Sequence, residues 1–384
     1  MFDFERMKLA RELQNVFEGD RVLNETVMFI EKGDTKPLLY IIDKIISVSS
    51  YDGSVSYTEG EDYEVVDGKM KVTENSRIPC ITAEKYYKGD GMLKTLRDGE
   101  EAATHWGEGR AMTDWQVNVT YTHRDSWQGY RQPCYAGVYR RFYEKLSRGE
   151  NVTLIFYGDS CTYGAASSFS YGYPPYQYSY ALLVTNALAD IFGYTVHYIP
   201  AGLAGTGPVP KEDYKGGTRS IINYINPSVG GWTSQNGADN FEVYARPFID
   251  KYGCDLFVLD LGGNDGGLDP LETKKHEEMI VEKLLKEASD TSVTVISTLL
   301  NRPGSNWVMN EWRQEPLLLK MTEELREKGV PCGLCGITSM TSSVLEHVAF
   351  EDISGNNINH PNDFWARLYA CTLFETLVGY ENLK

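Results

Sequence analysis

The stretch LIFYGDSCTYG, residues 154–164, contains an apolar run that ends abruptly at Gly158-Asp159-Ser160. A continuous apolar run of this kind is typical of a parallel strand that is covered on both faces. Small and polar residues directly after the strand predict a tight turn with a hydroxyl group near its start. Such a turn can present a nucleophile, but many strands end in turns, so the pattern needs partner residues before it predicts chemistry.

Similar apolar runs recur through the second half of the chain. Residues 152–158, 254–263 and 291–300 are continuous apolar stretches, separated by longer segments with helical periodicity. Alternating strands and helices are typical of a parallel sheet with helices on both faces. The pattern predicts an α/β fold for residues 151–384, with a doubly wound, three-layer α/β/α parallel sheet of the kind that binds ligands at its strand ends.

The first third of the chain has short β-rich runs separated by turns, between about residues 22 and 125. One such pair reads VVDGKMKV, in which Asp67-Gly68 is typical of a tight hairpin turn. These runs predict a smaller β-sandwich, jelly-roll-like, over residues 1–130. A linker helix is expected within residues 131–150, before the α/β domain.

Composition excludes several classes of function. The chain has 384 residues, of which 42% are hydrophobic and 24% charged, and this balance is typical of a globular protein with room for two domains. A formal net charge of −17 argues against nucleic acid as a partner. The sequence has no apolar run of the roughly 20 residues that span a bilayer, and its start lacks the pattern of a secretory signal. We therefore expect a cytoplasmic protein without a membrane partner; its oligomeric state stays open.

The cysteines favour neither disulfides nor a metal. Their number, seven, is odd, and they are scattered along the chain. Cys332 and Cys335 form a CxxC pair, but no second pair at zinc spacing accompanies it. We interpret the two as small apolar residues at the end of a strand, and expect no metal or other cofactor.

Four polar or glycine residues follow predicted strands or precede the last predicted helix, where parallel strands place a ligand site. Ser160 follows the first strand, Gly231 lies in INPSVGGWTS, Asn264 lies in LGGNDGG, and His360 lies in NNINHPND. Acyl transfer by serine needs a nucleophile, a base and donors for the developing oxyanion. Ser160 suits the first role and His360 the second. The backbone N–H groups of Ser160 and Gly231 and the side-chain amide of Asn264 suit the oxyanion hole.

These four blocks resemble, in the same order, those of the SGNH hydrolase or GDSL esterase superfamily. The resemblance covers about residues 150–384. The β-rich first part, together with GGWTS and HPND, is similar to two-domain carbohydrate acetylesterases. The resemblance implies a serine esterase that removes small acyl groups, acetyl first, from an oligosaccharide or polysaccharide through an acyl-enzyme on Ser160.

One position departs from the family pattern. Asn357 stands three residues before His360, where the family usually has aspartate. An amide can orient the imidazole but cannot stabilise its charged form, and in the Ser-His-Asp proteases the change from Asp to Asn costs about 10⁴-fold in turnover. We keep Asn357 as the expected orienting residue. The alternatives are another carboxylate, a backbone carbonyl, or a Ser-His pair that works alone.

Further residues are expected near the substrate. Asp159 is expected to accept hydrogen bonds from backbone N–H groups of the turn, and we group it with Trp232, Tyr163 and Trp307 as substrate-binding residues. Aromatic faces suit sugar rings, although the tyrosines near residues 171–180 could equally pack inward. Asp265 is expected to brace its own loop.

Two alternative functions remain open at this stage. The first is an esterase for lipid or aryl esters or thioesters, which a preference for long acyl chains would reveal. The second is a glycan-binding protein that keeps an esterase scaffold without turnover, and Asn357 is the residue that favours this alternative.

Overall fold

The computed structural model of the protein describes residues 13–88, 93–97, 100–305 and 311–383. The described N-terminal elements are β1 (Arg21–Met28), β2 (Thr35–Lys36), β3 (Lys44–Ser50), β4 (Ser56–Tyr57), β5 (Tyr63–Val66), β6 (Lys69–Val72), α1 (Ala83–Lys88), β7 (Leu93–Arg97), β8 (Glu100–Thr104) and β9 (Gln116–Thr122). They form an antiparallel sheet in the order β1-β9-β3-β4, a second in the order β2-β6-β5, and the β7-β8 hairpin. A jelly roll has eight strands in two sheets, and these described sheets do not confirm it.

The hairpin predicted from VVDGKMKV is present. Strands β5 and β6 pair antiparallel from Tyr63 opposite Val72 to Val66 opposite Lys69. The turn residues Asp67 and Gly68 both have positive φ angles, 50° and 72°. This geometry matches the right-handed twist of the two strands, which is why Asp-Gly is favoured at such turns.

The rest of the described chain alternates helices and strands. Short 3-10 helices lie at Thr113–Trp115, before β9, and at Tyr380–Leu383. The elements are α2 (Arg140–Arg148), β10 (Val152–Gly158), α3 (Ser160–Tyr163), α4 (Tyr180–Phe192), β11 (Thr195–Ile199), β12 (Tyr214–Lys215), β13 (Ile221–Ile225), α5 (Ser234–Tyr244), α6 (Arg246–Tyr252), β14 (Leu256–Asp260), α7 (Pro270–Glu287), β15 (Ser292–Ile296), α8 (Glu311–Glu327), β16 (Cys332–Cys335), α9 (Ile337–Leu345), α10 (Phe350–Ile353) and α11 (Asp363–Leu377). One central sheet has the order β12-β11-β13-β10-β14-β15-β16, and within this sheet only the β11–β12 pair is antiparallel among the described strands. The predicted mixed α/β fold with a mostly parallel sheet is confirmed.

Strand β10 is buried on both faces, as its continuous apolar run predicts. Leu154 and Phe156 pack into the hydrophobic cluster that contains α4 and α11, whereas Ile155 and Tyr157 pack into the cluster that contains α5, α7 and α8. The chain leaves β10 for β11 and β13 on one side of the sheet and later reaches β14, β15 and β16 on the other. Such a change of direction opens a crevice at the strand ends, so the residues that follow β10 lie at the natural ligand site.

The β-rich N-terminal region packs against α10 and the residue that follows it. The ammonium group of Lys36 lies 2.6 Å from Asp352, whose carboxylate also accepts a hydrogen bond from the backbone N–H of Met28. The amide of Gln116 donates to the carbonyl oxygens of Glu351 and Ser354. These buried contacts hold the β sheets against α10 and Ser354, shortly before His360. The boundaries expected at residues 130 and 150 stay predictions.

Cys332 and Cys335 are the first and last residues of β16, and both are buried free thiols. This position agrees with their interpretation as strand residues. Among the described residues, no group of three or more His, Cys, Asp or Glu side chains is arranged to hold a metal ion. The helices of the described ranges are all too short or too polar to cross a bilayer.

Glu25 on β1 provides a test of the N-terminal core. Its buried carboxyl group accepts hydrogen bonds from the backbone N–H of Leu39 and the hydroxyl of Tyr121. Burial raises the pKa of Glu25 from 4.5 to about 8, although the two hydrogen bonds lower it. The protonated form therefore stabilises the fold fully below pH 4.5, and this contribution is lost as the pH rises through about 8.

Between pH 5 and 9 we expect the free energy of unfolding of the wild type to fall by a few kcal/mol relative to that of Glu25→Gln. The size of this fall follows from about 1.4 kcal/mol for each unit of pKa shift. Urea unfolding at a series of pH values measures the difference, with the exposed Glu64→Gln as control. A difference between wild type and Glu25→Gln that does not change with pH would contradict the prediction.

Candidate active site

The turn that carries Ser160 is shaped by the residues on either side of it. A Cβ atom at Gly158 would overlap the Thr162 hydroxyl and the carbonyl oxygen of Asp260, so glycine is required where β10 ends. The Asp159 carboxylate caps α3 by accepting a hydrogen bond from the N–H of Cys161 at 2.9 Å. This contact confirms the expectation that Asp159 braces the turn. Ser160 therefore begins α3 directly at the carboxyl end of β10.

A buried carboxylate lies beneath this turn. One oxygen of Asp260, at the end of β14, accepts hydrogen bonds from the hydroxyls of Thr162, Tyr180 and Tyr369 at 2.7–2.8 Å. Burial raises the pKa of Asp260, whereas the three hydroxyl donors lower it. Because these donors belong to α3, α4 and α11, Asp260 ties all three helices to the strand beside Ser160.

The structure brings Ser160 and His360 together, as the sequence predicts. The Nε2 atom of His360 lies 2.9 Å from the Ser160 hydroxyl oxygen. On the other side of the ring, Nδ1 lies 3.1 Å and 3.2 Å from the two carboxylate oxygens of Glu108. Glu108 lies in the connection between β8 and β9, within the N-terminal region. An alcohol, an imidazole and a carboxylate thus form one continuous chain of contacts.

The expectation that Asn357 orients His360 is wrong. Asn357 has a φ of 65°, in the left-handed region, and its side chain contacts other groups. Its amide nitrogen donates to the carbonyl oxygen of His105 at 2.6 Å, and its amide oxygen accepts a hydrogen bond from Arg302. Spacing from His360 suggested Asn357, but the backbone turn directs its side chain away from the imidazole. The structure agrees with the alternative in which another carboxylate contacts His360, and that carboxylate belongs to Glu108.

Sequence reasoning missed Glu108 entirely. It lies 252 positions before His360 and in no recognised motif. Burial raises the pKa of its carboxyl group, but the hydrogen bond from His360, the charge of His360 and the hydrogen bonds from Tyr171 and Asn356 lower it to about 2. The only local signal was an acidic residue between glycines in the stretch HWGEGR.

Gly231 and Asn264, which are predicted to complete the oxyanion hole with Ser160, lie in loops at the same sheet edge. The amide nitrogen of Asn264 donates to Asp159 at 3.2 Å and to the carbonyl oxygen of Trp232 at 3.0 Å, so it connects the ends of three strands. Gly230 approaches the nucleophile closely, since a Cβ atom there would lie 3.8 Å from the Cβ of Ser160. Gly231 follows with a φ of 79° and open space around it. The donor roles of Ser160, Gly231 and Asn264 stay predictions.

The expected substrate-binding residues differ in their exposure. Asp159 is 3% exposed and accepts hydrogen bonds from Cys161 and Asn264. It therefore supports the loops of the site and does not line the surface that a substrate would contact. Trp232 is half-buried and packs edge-on against Tyr244, and Tyr163 is also half-buried. Their roles toward a substrate stay predictions.

Trp307 lies outside the described residues. Asp265 binds Ser234 and Thr273, which confirms that it braces its own loop against α5 and α7.

The solved structures that align with part of this chain include several esterases. A two-domain esterase active on acetylated mannans, co-crystallized with mannopentaose, has 16% sequence identity and a TM-score of 0.45, and the match covers 67% of this chain and 56% of that chain. An acetylxylan esterase variant from Geobacillus stearothermophilus has 13% identity, with 58% and 92% of the two chains covered and a TM-score of 0.41. An aryl esterase from M. smegmatis has 15% identity, 58% and 97% coverage and a TM-score of 0.36.

Each of these alignments has low sequence identity and a TM-score below 0.5. The chain spans little more than half the length of the two-domain esterase. No protein-family model matches the sequence, and no curated protein matches it.

The role of Gly231 can be separated from its contribution to stability. Gly231 and Gly193 have φ angles of 79° and 75° with open space around both, but Gly193 ends α4, away from the nucleophile turn. Alanine at either position should cost about 1–2 kcal/mol of stability, because L-residues are strained in the left-handed region.

We expect only Gly231→Ala to lose activity as well, by about 10²-fold, since a shifted N–H no longer points at the oxyanion. Urea unfolding and kcat/KM on a nitrophenyl ester measure the two effects. Equal activity of the two variants would contradict the prediction that the N–H group of Gly231 belongs to the oxyanion hole.

Proposed function

We propose that the protein is a serine ester hydrolase of the SGNH type that removes small acyl groups, acetyl first, from carbohydrate. The observation that carries the proposal is the 2.9 Å contact between Ser160 and the Nε2 atom of His360 at the end of β10. Nucleophile and base within hydrogen-bond reach, at the crevice of an open parallel sheet, are what acyl transfer by serine requires.

In the proposed reaction, His360 removes the proton of the Ser160 hydroxyl as its oxygen attacks the ester carbonyl. The oxyanion that forms would be held by the N–H groups of Ser160 and Gly231 and by the amide of Asn264. His360 then gives its proton to the leaving alcohol, and the ester bond to that alcohol breaks. Water, deprotonated by the same imidazole, attacks the acyl-enzyme. The ester bond to Ser160 then breaks, His360 returns the proton to the Ser160 oxygen, and the acid is released.

The carbohydrate part of the proposal has its own support. The β-rich first part, together with GGWTS and HPND, resembles two-domain carbohydrate acetylesterases. Tyr171 and Tyr176, in the segment that follows the nucleophile helix, are 39% and 55% exposed, and exposed aromatic faces suit the apolar faces of sugars. The net charge of −17 is easier to reconcile with a neutral glycan than with an anionic ligand.

The alternative of a glycan-binding protein without turnover loses its main support. It depended on Asn357 as a defective orienting residue, whereas His360 has a carboxylate partner in Glu108. The alternative of an esterase for other small esters or thioesters requires the same Ser160–His360 contact. Only substrate preference distinguishes it from the proposed function.

We expect wild-type protein to release acetate from acetylated xylan, acetylated mannan or small acetylated sugars. Ser160→Ala should lose about 10⁴-fold or more of this rate because the nucleophile is removed. Ser289→Ala, an exposed serine after α7, serves as the matched control and should keep full activity. Acetate released over time, with circular dichroism to verify folding, measures the effect.

Full activity in a clean Ser160→Ala preparation would refute the mechanism. A marked preference for long-chain nitrophenyl esters over acetylated sugars would keep the mechanism and replace the carbohydrate substrate.

A further inference from the structure

We infer that Glu108, from the N-terminal β-rich region, is the acid that orients and electrostatically supports His360, so that this region is part of the active site. The inference rests on the proposed function and deepens it. It assigns the N-terminal region a role in catalysis that does not depend on any binding of substrate.

The contact fixes which nitrogen of His360 carries the proton. A carboxylate only accepts hydrogen bonds, so Nδ1, at 3.1–3.2 Å from Glu108, must carry hydrogen. Nε2 is then left with its lone pair toward Ser160, as a base requires. When His360 takes the serine proton, the negative charge of Glu108 stabilises the imidazolium, which an asparagine could not do.

The carboxylate is held by two further donors. The amide nitrogen of Asn356 donates to one oxygen at 2.9 Å, and the hydroxyl of Tyr171 donates to the other at 2.6 Å. Tyr171 lies after the nucleophile helix, so Glu108 connects the segments that carry Ser160 and His360. Each oxygen has a fixed partner besides the imidazole, which limits the positions the carboxylate can occupy.

Asn356 also shapes the loop that carries His360. Its amide oxygen accepts hydrogen bonds from the backbone N–H groups of Ile358, Asn359 and His360 at 2.9–3.0 Å. Asn356 is 1% exposed, and the nitrogen of the same amide group donates to Glu108. Asn356 is therefore a positioning residue that sets the distance between imidazole and carboxylate.

The backbone around Glu108 is fastened to the same loop. The N–H of Gly107 donates to the carbonyl oxygen of Asn356 at 3.2 Å, and the side chain of Asn357 holds the carbonyl oxygen of His105. Asn357 thus positions the segment that carries the acid. These contacts explain how a residue from a separate sheet can keep a defined place at His360.

A simple surface ion pair is the competing explanation, since Glu108 has a side-chain exposure of 44%. Exposed ion pairs typically contribute little to stability and have no effect on chemistry. Glu144 on α2 offers a matched comparison, because its side chain is 45% exposed and forms an ion pair with Arg140. The two glutamates differ in that only Glu108 contacts His360.

The first test compares Glu108→Gln with Glu144→Gln. We expect both to unfold at temperatures close to wild type, and only Glu108→Gln to lose kcat, by about 10²–10⁴-fold with little change in KM. Tyr171→Phe, which removes one hydrogen bond to the carboxylate, should lose about two- to tenfold in kcat.

A second readout does not need turnover. The Nδ1 proton of His360 should give a strongly deshielded proton resonance, identified by its absence in His360→Gln, and Glu108→Gln should lose it. Wild-type kinetics in Glu108→Gln, or a resonance that persists in it, would overturn the inference. If wild type hydrolyses no ester, the proposed function fails, and the resonance then decides by itself whether Glu108 holds the imidazole.

Discussion

The imidazole of His360 has to meet two partners at once, a hydroxyl on Nε2 and a carboxylate on Nδ1. Ser160 and Glu108 supply them from positions 200 and 252 residues earlier in the chain. Because the ring is rigid and planar, both contacts persist only if three loops keep their relative positions. A shift of about 1 Å between such groups can cost about 10²-fold in rate. This requirement gives a physical reason for the many polar contacts that surround the ring.

The same requirement accounts for the buried charges between the two regions. Lys36 binds Asp352 and Glu351, and Arg302 lies 3.6 Å from the same glutamate. Buried ion pairs of this kind add little net stability, but they accept only one arrangement of their partners. They fasten the β sheets to α10, directly before the His360 loop. The β-rich region therefore keeps Glu108 in register with the α/β sheet, and the two regions work as one unit.

The sequence was sufficient for features that depend on neighbouring residues. The apolar runs predicted β10, β14 and β15 because strands buried on both faces need apolar residues throughout, and Asp67-Gly68 predicted its hairpin. Ser160 and His360 could be found because each lies in a short motif at the end of an element. Glu108 could not, because its contact depends on how the N-terminal region docks, and its only local feature, the two flanking glycines, belongs to no motif. For Asn357, motif spacing gave the right loop but not the positive φ that turns its side chain toward Arg302.

The most direct test of the Ser160–His360–Glu108 arrangement is covalent labelling with diethyl p-nitrophenyl phosphate, followed by mass spectrometry of the intact protein and its peptides. The reagent reacts with a serine whose proton is removed by a neighbouring base. Wild type should gain a single diethylphosphoryl group, on the peptide that contains Ser160, and Glu108→Gln should gain it about 10²-fold more slowly or less. Labelling at another residue, or equal rates in the two proteins, would contradict this arrangement.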